Sequence, residues 1–203
     1  MKAMRDDDRW LDPWLQTLRQ HAGGRPVLEL GCGDGRDTAV LAGAGFDVQA
    51  LDRSSGSLLV ARGRLLRPAG GGRAHFSRGD LRDPWPPGPY GAVLASLSLH
   101  YFDWPTTETL VQRVAGALAP GGLLLCRLNS TADHHWGASG HPAIDGDPHF
   151  RLVDGQPKRF FDRADVQRLF DARHWQHLAL EEQVIDRYAQ PKAAWLLAAV
   201  PAG

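Results

Sequence analysis

Glycines, acids and a histidine are the residues of this chain whose spacing points to chemistry. The apolar run Val27-Leu28-Glu29-Leu30 ends at Gly31-Cys32-Gly33-Asp34-Gly35, with glycine at every second position, and Arg36 opens what reads as a helix. Glycine tolerates positive φ and lets a ligand approach the main chain closely, so such a loop after a strand makes a nucleotide-type pocket. Two more acids stand beside predicted strand ends: Asp52 closes Asp47–Leu51, and Asp80 follows Ala74–Ser77. An ionised carboxylate accepts hydrogen bonds only, which suits hydroxyl donors. His100 and Tyr101 lie just past the apolar run Ala92–Ser96. A histidine with its ordinary pKa of about 6.5 can take a proton near neutrality. Each residue also has a plainer use. Asp52 suits a helix cap and Asp80 a turn; His100 suits a bond to its adjoining loop, and Tyr101 packing under the next helix.

The elements that must hold these residues follow from hydrophobic period and turn residues. Residues Arg5 to His21 place Trp10, Leu11, Trp14, Leu15 and Leu18 at helical spacing, and Gly23-Gly24 stops them. Further helices are expected over Arg36–Ala44, from Ser54 or Ser55 to Leu65, over Asp103–Leu118 and over Asp162–Arg173. Strands are expected at Val27–Leu30, Asp47–Asp52, Ala74–Ser77, Ala92–Ser96 and Leu123–Leu128, with Gly70-Gly71-Gly72 as a turn. His177–Asp186 and Ala193–Val200 read as two more strands, and their short connection favours an antiparallel hairpin. This alternation implies an α/β fold, a doubly wound, mostly parallel sheet with helices on both faces. No repeat or linker divides the chain, so residues 1–203 are expected to form one domain. Residues 130–158 read as a long irregular loop, and loops of that length are commonly functional lids.

Bulk properties narrow the classes. With 43% apolar and 23% charged residues, the composition is that of a soluble globular protein. No apolar stretch reaches membrane-spanning length, and Met1–Trp10 lacks the apolar core of a secretory signal. Cys32 and Cys126 are far apart and read as reduced thiols, so a cytoplasmic location is expected. A formal net charge of zero argues against a dedicated nucleic-acid binder, although Arg62, Arg64, Arg67 and Arg73 leave room for a small basic patch. Nearly all basic residues are arginine; lysine occurs only at Lys2, Lys158 and Lys192.

The glycine spacing separates candidate ligands. A dinucleotide loop needs G-x-G-x-x-G, and here Arg36 occupies the position of the third glycine; the triphosphate-binding G-x-x-x-x-G-K-[ST] is absent. With Glu29 included, the pattern E-x-G-x-G-x-G resembles the first motif of class I S-adenosylmethionine-dependent methyltransferases. Pro120-Gly121-Gly122 resembles the turn that this family sets before its fifth strand, and the terminal hairpin its antiparallel last strand. The resemblance spans about residues 25–203. It implies a seven-stranded Rossmann-like sheet and binding of S-adenosylmethionine, with S-adenosylhomocysteine as product. Asp52 would take the ribose hydroxyls, Asp80 would sit beside the adenine amine, and Leu81 would offer its N–H to the ring. Glu29, Gly31, Cys32, Gly33, Arg53, Ser96, Leu97 and Trp14 complete the expected cofactor contacts. Arg36 is similar to its counterpart in tellurite-resistance-type members and would reach the cofactor's carboxylate. His100 and Tyr101 would be the catalytic pair at the mouth of the pocket. The N-terminal helix, residues 1–24, with Trp10 and Trp14, would form a second lid.

Competing chemistries lack their residues. Ser96-Leu97-Ser98-Leu99 stands where amine-methylating DNA enzymes carry [DNS]-P-P-[FYW], and neither cysteine follows a proline as a cytosine-C5 nucleophile would. The tract with His134, His135, His141 and His149 has no H-E-x-x-H or C-x-x-C anchor, so no metal is expected. Gly137-Ala138-Ser139-Gly140 falls one residue short of the hydrolase elbow. The expected acceptor is a small molecule. A protein or RNA acceptor, and a binding protein without turnover, stay open at this point, as do monomer and homodimer.

Overall fold

The computed structural model describes residues 8–65, 71–186 and 188–202. Arg5, Arg67, Gly70 and the other residues of the expected helix start, basic patch and turn that fall elsewhere lie outside the described residues. Strands β1 (Val27–Leu30), β2 (Val48–Asp52), β3 (Ala74–Arg78), β4 (Tyr90–Ser96) and β5 (Leu118–Asn129) pair in parallel, in the order β3-β2-β1-β4-β5. At the far edge β10 (Lys192–Pro201) pairs antiparallel with β5, and β9 (Trp175–Ile185) antiparallel with β10, which completes seven strands. The doubly wound sheet expected from the sequence is present.

Period-two alternation divides the core between the faces. Ala92 and Leu94 of β4 join Leu123 and Leu125 of β5 in one cluster with Leu18 of α1 (Leu15–Ala22), Leu41 of α2 (Arg36–Gly43) and Leu58 of α3 (Ser55–Arg64). Val93, Ala95, Leu124 and Cys126 join the other, with Val111 and Val114 of α4 (Trp104–Ala117) and Val166 and Leu169 of α5 (Arg163–Leu169). Burial on both faces is what made these strands read as continuous apolar runs. Local chemistry sets the helix ends. Ser54 caps α3 by accepting from the Ser57 N–H at 3.2 Å, and Asp103 caps α4 through the Thr106 N–H at 2.9 Å. Asp162 and Asp165 form a capping box on α5.

Three expectations need correction. The N-terminal helix begins at Leu15, after a 3-10 turn over Asp12–Trp14, because Pro13 has no N–H and fits only a first turn. The helix α5 stops at Leu169, four residues early. Residues 130–158 are also not irregular throughout. After a 3-10 turn at His134–Trp136, a three-stranded antiparallel meander forms from β6 (Ala143–Ile144), β7 (Asp147–Val153) and β8 (Gln156–Arg159). Its turns are Asp145-Gly146 and Asp154-Gly155, all four residues at φ of 50–74°, the conformation of tight hairpin turns.

Candidate active site

The chain leaves the middle of the sheet in opposite directions from β1 and β4, so a crevice opens beyond their carboxyl ends. There the structure holds a cleft of about 600 Å³. Its lining brings together Glu29, Gly31, Cys32, Gly33, Arg36, Asp52, Arg53, Asp80, Leu81, Ser96, Leu97, His100 and Tyr101, all sequence-expected site residues. Trp14 is not among the lining residues; it packs on the core cluster of Leu11 and Leu18.

The glycine loop is shaped by close approach on one side and bare backbone on the other. Gly31 has φ +75°, and a Cβ there would lie 2.5 Å from the Ser98 Cβ. Gly33 has φ +52° with open space where its Cβ would be, so main chain faces the cleft. Its N–H donates to Asp52 Oδ2 at 2.8 Å, while Ser54 N–H donates to Oδ1 at 2.8 Å. Asp52 therefore locks the loop and keeps carboxylate lone pairs for a ligand. Asp34 Oδ2 accepts from Arg36 Nε at 3.0 Å and Arg64 Nη2 at 3.1 Å, which orients Arg36 along the cleft wall.

The acids differ in charge state. Glu29 is buried and accepts from Thr38 Oγ1 at 2.5 Å; burial, then Asp37, pushes its pKa well up. Asp80 goes the other way, held down to about 2, first by its hydrogen bonds with the Arg82 side chain at 2.8 and 2.9 Å. Burial pushes the Cys32 thiol up, so Cys32 fills space beside the loop without nucleophilic character.

At the carboxyl end of β4 the backbone is strained: Leu97 sits at φ +55°, a conformation that costs a non-glycine residue about 1–3 kcal/mol. The Leu97 N–H donates to the Arg127 carbonyl at 2.9 Å, and the Arg127 Nε to Ser96 Oγ at 2.9 Å, so β5 fixes this turn. His100 follows in a 3-10 turn over Leu99–Tyr101 and is 3% exposed. Its Nδ1 has no hydrogen-bond partner among the described residues. Burial, then Lys192 and Lys158, lowers its pKa well below the usual imidazole value, so it is neutral at physiological pH. Burial, then Tyr188, raises the pKa of Tyr101, whose ring centroid lies 4.2 Å from that of His100. Ser98 Oγ and Asn129 Oδ1 are also buried, unpartnered atoms of lining residues.

Sequence reasoning missed Tyr188, which enters from the β9–β10 connection, Lys192, which opens β10, and Gln156, which enters from β8. An antiparallel last strand necessarily starts where the fifth ends, which was the available signal for Lys192. Trp10 takes a place not expected: its ring lies 4.0 Å from the Arg127 guanidinium carbon, and its Nε1 donates to Asp37 Oδ1 at 3.0 Å. His149, Asp162 and Asp165 place ligand atoms within 4.8 Å of one another, but away from the cleft. His149 Nδ1 is bonded to Asp165 Oδ2 at 2.6 Å, and both acids cap α5.

The strand order with one antiparallel strand, the glycine loop after β1 and the acid ending β2 give the seven-stranded Rossmann-like architecture that the sequence resemblance implied. A crystal structure of an S-adenosylmethionine-dependent methyltransferase from Clostridium acetobutylicum superposes with a TM-score of 0.72 at 15% identity, covering 96% of this chain and 92% of that one, so the two share a fold. At the level of sequence, residues 27–122 match the family described as methyltransferase domain. It is 34% identical over 113 residues to a trans-aconitate 2-methyltransferase from Delftia acidovorans, covering 53% of this chain and 39% of that protein. It is 32% identical over 127 residues to a demethylmenaquinone methyltransferase from Clavibacter sepedonicus, covering 62% and 49%. The chain thus spans less than half the length of these curated relatives.

Proposed function

We propose that this chain is an S-adenosylmethionine-dependent methyltransferase that moves a methyl group to a small-molecule acceptor. The observation that carries the reading is the cradle at β1 and β2, where bare backbone at Gly33 and the two-sided carboxylate of Asp52 face one cleft. Glu29, the glycine loop, Asp52 and Leu81 would hold the cofactor, with Asp80 and Arg82 at its adenine end and Arg36 near its carboxylate. Bound there, the cofactor supplies an electrophilic methyl on a sulfonium with a neutral leaving thioether, open to in-line displacement. The chain's own part is positioning, which in well-oriented systems is worth about 7–11 kcal/mol. His100, neutral and with Nδ1 unpartnered, is placed to accept the acceptor's proton; Tyr101 orients the acceptor beside it. The N-terminal segment and the insertion between β5 and α5 act as the two lids of a single domain.

Relatives named for trans-aconitate and demethylmenaquinone support a small acceptor. No helix among the described residues is long and apolar enough to cross a membrane, and both cysteines are free, which supports a cytoplasmic setting. The test is incubation of purified protein with methyl-labelled S-adenosylmethionine and a metabolite extract, read by mass spectrometry. The expected result is a new labelled small molecule together with S-adenosylhomocysteine. Tight cofactor binding with no labelled product from any extract would overturn turnover and leave a binding protein.

A further inference from the structure

The cleft is electrically divided. Among the described residues, every carboxylate that lines it lies between Glu29 and Asp80, on β1, β2, the start of α2 and the loops after β1 and β3. From Ser96 onward, the lining residues include Lys158 and Lys192 and no acid. These are two of only three lysines in a chain with 23 Lys and Arg residues. Lys192 is 8% exposed, donates to the buried Asp133 at 2.7 Å, and keeps further ammonium hydrogens beyond that bond. Lys158, on β8, has no ion-pair partner among the described residues. Among the described residues, with Asp133 offsetting Lys192, the lining of this half carries one net positive charge. Beside the lysines sit Asn129 Oδ1 and His100 Nδ1, both buried without partners among the described residues, an arrangement that costs stability unless a ligand completes it. Trp136 and Tyr188, their ring centroids 5.2 Å apart, stand on the same side.

We propose that the methyl acceptor is a small carboxylate, a flat unsaturated or aromatic acid whose carboxylate is held by Lys158 and Lys192 against the Trp136–Tyr188 wall. This rests on the methyltransferase reading and names its substrate class. Among the described lining residues of this half, a single net charge matches a monoanion better than a phosphate dianion, and no paired guanidinium forks suited to phosphate occur. The division also matches the reaction: the cationic cofactor takes the acidic half, and the anion takes the other. The acceptor's protic or nucleophilic group would lie beside His100 and Asn129. Lys158 and Lys192 are specificity residues; they bind the acceptor and move no proton.

The test uses the full chain saturated with S-adenosylhomocysteine and calorimetric titration of benzoate and trans-cinnamate, their neutral amides, and phenyl phosphate. Affinity for S-adenosylhomocysteine is measured first, and its absence would overturn the methyltransferase reading itself. With it present, at least one carboxylate is expected to bind tenfold or more tightly than its amide. Lys158→Met should bring that ratio close to one while leaving S-adenosylhomocysteine affinity within twofold. Lys192→Met alone strands Asp133, so the double variant Asp133→Asn, Lys192→Met keeps the test valid, with the same loss of preference expected. No carboxylate preference in the native protein, a preference unchanged in both variants, or tighter binding of phenyl phosphate than of either acid would overturn the proposal.

Discussion

Asp52 serves two kinds of donor, and its substitution separates them. One side of the carboxylate holds the Gly33 and Ser54 N–H groups, and the rest faces the cleft. Asp52→Ala removes charge-assisted hydrogen bonds worth about 1.5–3 kcal/mol each, so affinity for S-adenosylhomocysteine should fall by at least about tenfold. Unchanged affinity by calorimetry would refute the assignment. His100→Ala should lower turnover by at least about 10²-fold, in the range of general bases, with cofactor affinity within twofold. Equal turnover with the identified acceptor would exclude it as the base. Its protonation also bears on stability. Burial lowers the folded-state pKa of His100, so below the unfolded value of about 6.5 the unfolded chain binds the proton first. The stability present above that pH is therefore lost as pH falls from about 6.5 toward the folded value. Denaturant midpoints at pH 7.5 and 5.5 should differ in the native protein, and less so in His100→Ala.

The meander of β6, β7 and β8 is the element that brings Lys158 and Gln156 to the cleft, and its turns depend on the residue after each aspartate. Gly155→Val places a β-branched side chain at a φ of 74°, a strain of about 1–3 kcal/mol. Amide exchange over residues 143–159 should quicken, with acceptor binding weakened and S-adenosylhomocysteine affinity kept. Protection equal to that of the native chain would show that the turn tolerates the change. This element also marks where the sequence was misread. The glycine loop, Asp52, Asp80 and the buried strands were legible because each is announced within a few residues by turn chemistry or an apolar run. The segment after Asn129 is polar, and polarity was taken for irregularity, although Asp-Gly occurs twice in it at hairpin spacing. The Lys192–Asp133 pair, 59 residues apart, and the stacking of Trp10 on Arg127 had no local signature at all.

At the scale of the whole molecule, Arg127 ties the chain's start to the centre of the sheet. It is 1% exposed, lies under Trp10, and its Nη1 donates to Asp8 Oδ2 at 2.8 Å. Asp8 and Trp10 precede α1, so this contact fastens the segment before that helix to the sheet, beside the cleft-lining Asp37 that Trp10 also meets. Arg127→Met keeps the stem but removes the cation, and breaking a buried pair costs about 3 kcal/mol or more. For a chain of this size that lowers Tm by roughly 6–12 °C, measurable by scanning calorimetry. Limited proteolysis should then cut between residues 8 and 15 in the variant and not in the native protein; a native-like digest over that stretch would show that the strap holds without Arg127.

The two lysines that line the cleft carry a practical consequence. With Lys2 as the one other side-chain amine, amine-directed acylation can mark at most three lysines, and intact-mass analysis resolves each addition. Lys158, partly exposed and unpaired among the described residues, should acylate ahead of Lys192, which burial and Asp133 shield. A compound that enters the pocket would then announce itself by protecting Lys158 from the reagent, so unlabelled metabolite fractions can be ranked by footprint before any methylated product is known.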